Sequence, residues 1–258
     1  MKDTVTALMI GDIVGKPGLR ALDEGLKGSV AAYDADVVVV NGENAADGFG
    51  LTEGIVETLL SLGVDVITSG NHIWQKRDVL PFLDRSERVL RPANYPEGCP
   101  GRGSGSFVKA GVGWTVINLQ GRKSLYPIDC PFRVGRRLVD EAVARGDIVL
   151  IDFHAESTEE KEALGLYLDG AASVVVGTHT HVRTSDIRLL PKGTGYITDL
   201  GMTGPDESCI GVKIELSLGR SLTQIPLKME TAEGSATIHG AAFTIDVATR
   251  RVVELSSF

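Results

Sequence analysis

Four of the five histidines in this 258-residue chain, His72, His154, His179 and His181, each stand just behind a short apolar run. His179 and His181 follow Val174, Val175 and Val176 in the stretch SVVVGTHTHVRT, residues 173–184. In extended backbone residues i and i+2 point to the same side, so both imidazoles are expected to aim at one point past a strand that Gly177 ends. Neutral imidazole is a common ligand for zinc, iron, copper and nickel, which makes the pair a metal bite. Taken alone, His-x-His reads equally well as two surface side chains.

The same arrangement recurs four times. Residues 7–10 lead into Gly11-Asp12, 37–40 into Asn41-Gly42-Glu43-Asn44, 64–67 into Gly70-Asn71-His72, and 148–151 into Asp152-Phe153-His154. In open α/β sheets ligands bind beyond the carboxyl ends of the strands, so Asp12, Glu43, Asn44, Asn71, His72, His154, His179 and His181 are expected on one edge. Singly, Asn44 and Asn71 suit turns and Asp12 suits a helix cap. Jointly they would leave ionisable groups clustered without partners, which is costly.

Carboxylate, carboxamide and imidazole donors without thiolate suit iron, manganese or zinc better than magnesium. Eight groups exceed one tetrahedral site. They fit two ions ~3.5–4 Å apart that share a carboxylate, an arrangement used for in-line displacement at phosphorus. Glu43, in the middle of the set, is the candidate bridge. Water or hydroxide between the ions would be the nucleophile, its pKa lowered by coordination. His72, beside Asn71, is placed to protonate a leaving oxygen or to stabilise phosphoryl charge.

The elements that must position these groups follow from hydrophobic period. Strands are expected at 4–10, 37–40, 64–68, 147–152 and 173–177. Helices are expected at 18–32, started by Pro17, from about Thr52 to a Gly63 cap, around 134–145, and from the capping box Ser157-Thr158-Glu159-Glu160 to about Leu168. A hairpin near 106–110 and 113–118 turns at Gly111. The proline-bearing stretch 121–133 reads as a lid, with a cap element around 121–140. After Thr184 strands of antiparallel character are expected at 197–200, 212–216, 225–229, 236–246 and 252–255. The loop 202–208 could border the site, and His239 reads as structural or surface. The text GDIVGKPG misses the phosphate-loop spacing, with Pro17 where Ser or Thr would stand.

Bulk properties narrow the class. With 43% hydrophobic and 23% charged residues the chain suits one soluble α/β domain over residues 1–258. A formal charge of −8 argues against binding duplex nucleic acid through a basic surface, though bound cations would reverse the local sign. No apolar run approaches the ~20 residues of a membrane span. The N-terminal apolar stretch is too short for a secretory signal, and Cys99, Cys130 and Cys209 are odd in number and far apart. A reducing cytoplasm is expected.

Gly11-Asp12, Gly70-Asn71-His72, His154 and the GTHTH of residues 177–181 resemble the ordered motifs of calcineurin-like metallophosphoesterases. That superfamily has Asp-x-His where Val14 takes the third place here, and a Gly-Asp motif where this chain has Asn41-Gly42-Glu43-Asn44. Those departures, with GDIVGKPG, NGENAADGFGLT, GNHIW, RPANYPEG, INLQGR, DFHAE and VVGTHTHV, resemble the YmdB-like branch along nearly the whole chain. The resemblance implies a four-layer α/β/β/α sandwich of the metallo-dependent phosphatase type, two mixed sheets flanked by helices. It implies one ion held by Asp12, Asn44 and His181, a second by Asn71, His154 and His179, Glu43 between them, and a catalytic His72. It also implies a homo-oligomer with phosphodiesterase activity on a small substrate such as a 2′,3′-cyclic nucleotide. The preferred reading is a dinuclear metal phosphodiesterase acting on cyclic nucleotides or short RNA termini.

Two alternatives stand beside it. A phosphomonoesterase or nucleotidase would want extra cations, for which Lys16, Arg102, Arg122 and Lys123 are the candidates. A non-catalytic, metal-binding regulator would have no purpose for His72.

Overall fold

The computed structural model describes residues 2–258. In chain order the elements are β1 (Thr4–Ile10), β2 (Asp12–Ile13), α1 (Gly15–Ala32), β3 (Val37–Asn41), α2 (Glu53–Ser61), β4 (Val66–Thr68), α3 (Leu80–Arg85), β5 (Ser104–Lys109), β6 (Val112–Gln120) and α4 (Pro131–Arg145). They continue as β7 (Ile148–His154), α5 (Thr158–Leu168), β8 (Val174–Thr178), β9 (Arg188–Leu189), β10 (Gly195–Ile197), β11 (Met202–Pro205), α6 (Ile214–Thr223), β12 (Ala236–Thr237), β13 (Gly240–Asp246) and β14 (Val252–Ser257).

Alternation along the strands builds four layers. In β1, Val5, Ala7 and Met9 face a core shared with Trp114, Val116, Ile148, Leu150, Val174 and Val176 of a second sheet. Leu8 and Ile10 face the other way, onto Leu22 and Leu26 of α1 and Val56 and Leu59 of α2. In the second sheet Val149, Ile151 and Val175 turn outward onto Val139 and Ala142 of α4 and Leu164 and Leu168 of α5. Both faces of each sheet are covered, which is why the strands read as continuous apolar runs. The first sheet has the order β14-β13-β1-β3-β4 and the second β5-β6-β7-β8-β10-β9, both mixed. This is the expected α/β/β/α sandwich.

Local signals hold where chemistry fixes them. The Thr52 hydroxyl accepts from Ile55 N, and the Ser157 hydroxyl accepts from Glu160 N. The β5–β6 hairpin turns through Ala110 and Gly111, both at positive φ, the backbone of a tight primed turn.

The C-terminal third departs from expectation. Residues 212–216 and 225–229 are not strands: 214–223 form α6, and 225–229 are irregular. Ile214, Leu218 and Leu222 recur at helical spacing, and that period outweighs the local alternation. The strand expected at 197–200 is β10 and ends at Ile197; it pairs parallel to β8, so it completes the parallel run. The stretch 236–246 breaks at His239 into β12 and β13. Residues 202–205, read as loop, are β11, which pairs with β2 and β12 in a small third sheet.

Leu150 lies fully buried between the sheets. Leu150→Ala should lower stability by about 2–5 kcal/mol, seen as a lower urea midpoint at unchanged m value.

Candidate metal centre

Each candidate residue stands at or just past a strand end. Asp12 opens β2, Glu43 and Asn44 follow β3, Asn71 and His72 follow β4, His154 ends β7, and His179 and His181 follow β8. All eight meet on one edge of the sandwich. Asp12, Glu43, Asn44 and His154 are buried; Asn71, His72, His179 and His181 are partly so.

His154 is the meeting point. Its Nε2 lies 3.0 Å from Glu43 Oε1, 3.0 Å from His179 Nδ1 and 3.2 Å from Asn71 Oδ1. Its Nδ1 lies 2.9 Å from the Thr178 hydroxyl, which donates to Asp152 at 2.7 Å. With Nδ1–H engaged there, Nε2 is the nitrogen that carries the lone pair once the ring is neutral. One ring nitrogen has at most one proton and cannot satisfy three acceptors at once. A cation can.

The second group forms around His181. Its Nδ1–H donates to Ile210 O at 2.8 Å, turning Nε2 toward Asn44 Nδ2 at 3.0 Å and Asp12 Oδ1 at 3.9 Å. Asp12 Oδ1 is buried without a hydrogen-bond partner, a cost that a bound cation removes. The described residues therefore fit a divalent-metal centre, and Glu43, His154 and His179 alone bring donor atoms within 4.8 Å of one another.

The two loop histidines do not converge as extended backbone would bring them. His179 has φ 101° and His181 φ 64°, both left-handed, and their rings serve different groups. Such conformations in non-glycine residues are costly and gather at functional sites. Asp12 Oδ2 accepts from His179 N at 3.0 Å, and Glu43 Oε2 accepts from His72 N at 3.1 Å. The carboxylates thus fix the loops that deliver the imidazoles.

Charge is balanced by proximity. Burial pushes the Asp12 carboxyl up to about 6, against the pull of His181 and His154. Burial would raise Glu43 as well, but the His154 ring outweighs it and holds the carboxyl down at about 2. Burial opposes charge on His154, yet Glu43 and Asp12 lift it to about 9. Burial and then His154 push His179 down to about 3. Burial also lowers His72, whose ring meets Phe49 edge-on at 5.1 Å.

Sequence reasoning missed several supports. Glu156 Oε2 lies 3.2 Å from His179 Nε2 and leaves Nδ1 facing His154. Asp152 also accepts from Asn41 Nδ2 at 2.9 Å. Lys161 Nζ donates to Asp199 Oδ2 at 2.6 Å, and the same carboxylate accepts from Thr180 N and Oγ, pinning the loop between the two histidines. One signal was visible: Lys161 falls on the buried stripe with Leu164 and Leu168.

A cavity of about 690 Å³ opens over Glu43, Asn44, His72, His179 and His181. No residue of 121–140 lines it. Arg122 N and Lys123 N donate to Glu160, Gly121 N donates to His154 O, and α4 packs on the second sheet. The bordering segment is 210–231 instead. Lys16, Arg102, Arg122 and Lys123 do not line the cavity; Arg220 does.

The profile of the YmdB-like protein family matches residues 8–258. A Bacillus subtilis (strain 168) 2′,3′-cyclic-nucleotide 2′-phosphodiesterase is 48% identical, covering 96% of this chain and 94% of its own. The crystal structure of a hypothetical protein from Thermus thermophilus superposes with TM-score 0.91 at 42% identity, covering 98% of each chain. That of a novel phosphatase from Mycoplasma pneumoniae gives TM-score 0.93 at 33% identity, covering 100% of this chain and 94% of the other.

Two outcomes follow from the crowding at His154. A Cβ at Gly70 would collide with the His154 ring and the Glu43 carboxylate. Gly70→Ala should therefore weaken Mn²⁺ binding by roughly 10–100-fold with an unchanged far-UV spectrum, whereas wild-type affinity would show that the approach is not needed. With its pKa near 9, His154 is an imidazolium at pH 7 in the metal-free protein. Metal loading requires the neutral ring, so Mn²⁺ uptake at pH 7 should expel about one proton, an amount that fades above pH 9. Calorimetric heats independent of buffer ionisation enthalpy would exclude this.

Proposed function

The chain belongs to the YmdB-like family, and from that membership together with the strand-end geometry we propose a dinuclear, metal-dependent hydrolase of 2′,3′-cyclic nucleotides or related phosphodiesters. The observation that carries this is the crowding of Glu43, Asn71 and His179 donor atoms around one nitrogen of His154. In this scheme Asp12, Asn44 and His181 would hold one ion and Asn71, His154 and His179 the other, with Glu43 as the candidate shared ligand. The thiolate-free donors favour iron or manganese, with zinc also accommodated. When bound, the ions supply Lewis-acid polarisation of the phosphoryl group and activation of water.

The chain's own groups do the rest. Glu43 Oε2 and Asp12 Oδ2 hold the His72 and His179 backbone, while Glu43 Oε1 faces His154 and Asp12 Oδ1 has no hydrogen-bond partner. Asp152, through Thr178, sets the tautomer of His154, and Ile210 O sets that of His181. Burial keeps His72 neutral at pH 7, so it offers one ring N–H to a phosphoryl or leaving oxygen.

Cysteines 99, 130 and 209 are all unpaired, which supports a reducing, cytoplasmic setting. No helix among the described residues is long and apolar enough to cross a membrane. The outward apolar stripe Ile214, Leu218 and Leu222 supports a homo-oligomer.

His72→Ala separates binding from turnover. The variant should retain two ions by elemental analysis and lose roughly 10²–10⁴-fold in kcat on bis-(p-nitrophenyl) phosphate and 2′,3′-cyclic AMP. Undiminished turnover would remove His72 from the mechanism, and a metal-free, inactive wild type would remove the phosphodiesterase reading.

A further inference from the structure

The cavity extends well past the metal centre. At about 690 Å³ it lies in the range of roughly 300–1,000 Å³ typical of small-molecule sites. Across from the strand ends its wall is α6, which contributes Ser217, Arg220 and Ser221, with Gln224 just beyond. Packing within one chain does not explain this helix. None of its residues is buried, and its apolar stripe faces away, with Ile214, Leu218 and Leu222 at 47%, 56% and 82% exposure. A helix kept for stability would turn that stripe inward. α6 turns its hydrogen-bonding side to the cavity instead.

Arg220 has no ion-pair partner among the described residues, although the chain has a formal charge of −8. A guanidinium left free in an acidic protein, on the wall of a phosphate-directed cavity, is a ready partner for an anion. A 2′,3′-cyclic mononucleotide has one anionic group, and the strand-end set takes it. The ribose 5′ oxygen points away from the 2′,3′ edge. A second phosphate would therefore emerge on the side away from the metal centre.

Resting on the phosphodiesterase reading, we propose that the cavity receives the 3′ end of a short oligoribonucleotide that terminates in a 2′,3′-cyclic phosphate, with Arg220 holding the preceding phosphodiester. Phe49, 39% exposed and edge-on to His72, offers ring surface to the terminal base. Water adds to the cyclic phosphorus, one bond from phosphorus to a ribose oxygen breaks, and that oxygen takes the proton. The negative net charge restricts the polymer to an end reaching into the cavity, because a longer backbone would meet an acidic protein.

The test compares kcat/KM for 2′,3′-cyclic AMP and for adenylyl-(3′→5′)-adenosine 2′,3′-cyclic phosphate in metal-loaded wild type, Arg220→Ala and Arg220→Lys. The wild type should favour the dinucleotide. Arg220→Ala should lower the dinucleotide-to-mononucleotide ratio about fivefold, and Arg220→Lys should restore part of it. An equal ratio in wild type and Arg220→Ala, or a wild type that does not distinguish the substrates, overturns the proposal. If Arg220 served the reacting phosphate, both substrates would fall in parallel and the ratio would stand, which also overturns it. No turnover of either substrate by the wild type would overturn the phosphodiesterase reading itself, and the proposal with it. Since α6 buries nothing, the variants are expected to fold, and their far-UV spectra check this.

Discussion

Asp12, Glu43 and His154 are ionisable groups taken out of water at one edge of an apolar sandwich. Isolated burial of any one of them would be prohibitive, so their mutual distances decide which charges survive. Glu43 keeps its charge because His154 lies 3.0 Å away; Asp12, with one oxygen lacking a partner, is driven toward protonation. Protons are a poor solution here. Three acceptors around one ring nitrogen call for a positive centre with more than one bonding direction, which a divalent ion provides.

That constraint explains what could be read from the sequence. Charged and amide groups can be brought together only where strands stop, and the β-branched runs before Asp12, Glu43, Asn71, His154 and His179 show where that is. The layers follow as well, since a strand buried on both faces has no polar alternation to hide it. How the loops turn was not legible. His179 and His181 were expected in extended backbone, but they occupy left-handed conformations that the Asp12 carboxylate and the Ile210 carbonyl hold in place. Those partners lie 167 and 29 residues away in the chain.

The C-terminal third was misread for a related reason. Short segments such as 212–216 and 197–200 take their state from neighbours. β10 is a strand because β8 offers its edge, and it runs parallel because the chain returns to that edge in the same direction. Residues 212–216 find only isolated bridges from Val212 to Cys209 and Thr231, and the four-residue spacing of Ile214, Leu218 and Leu222 prevails. Lys161 carries the opposite lesson. A lysine among Leu164, Gly165 and Leu168 on the inward side of α5 is a local inconsistency, and such inconsistencies mark places where something other than stability is being specified. Its partner Asp199 receives two hydrogen bonds from Thr180, so a buried ion pair sets the peptide between two candidate ligands.

The donors come from both sheets, and that ties the centre to the fold. Glu43, Asn44, Asn71 and His72 hang from the first sheet, His154, His179 and His181 from the second, and Asp12 from the small third. Polar clamps already join the large sheets at this end: Asn41 donates to Asp152 at 2.9 Å, and Asn118 exchanges hydrogen bonds with the Ser69 backbone at 2.9 and 3.0 Å. A cation held across the same seam would bind only the docked arrangement and would add its binding free energy to the docking of the sheets. The apolar sandwich must therefore be strong enough to hold an unpaired Asp12 oxygen and two left-handed histidines before any ion arrives. A bound ion would remove that cost at the place where it is incurred.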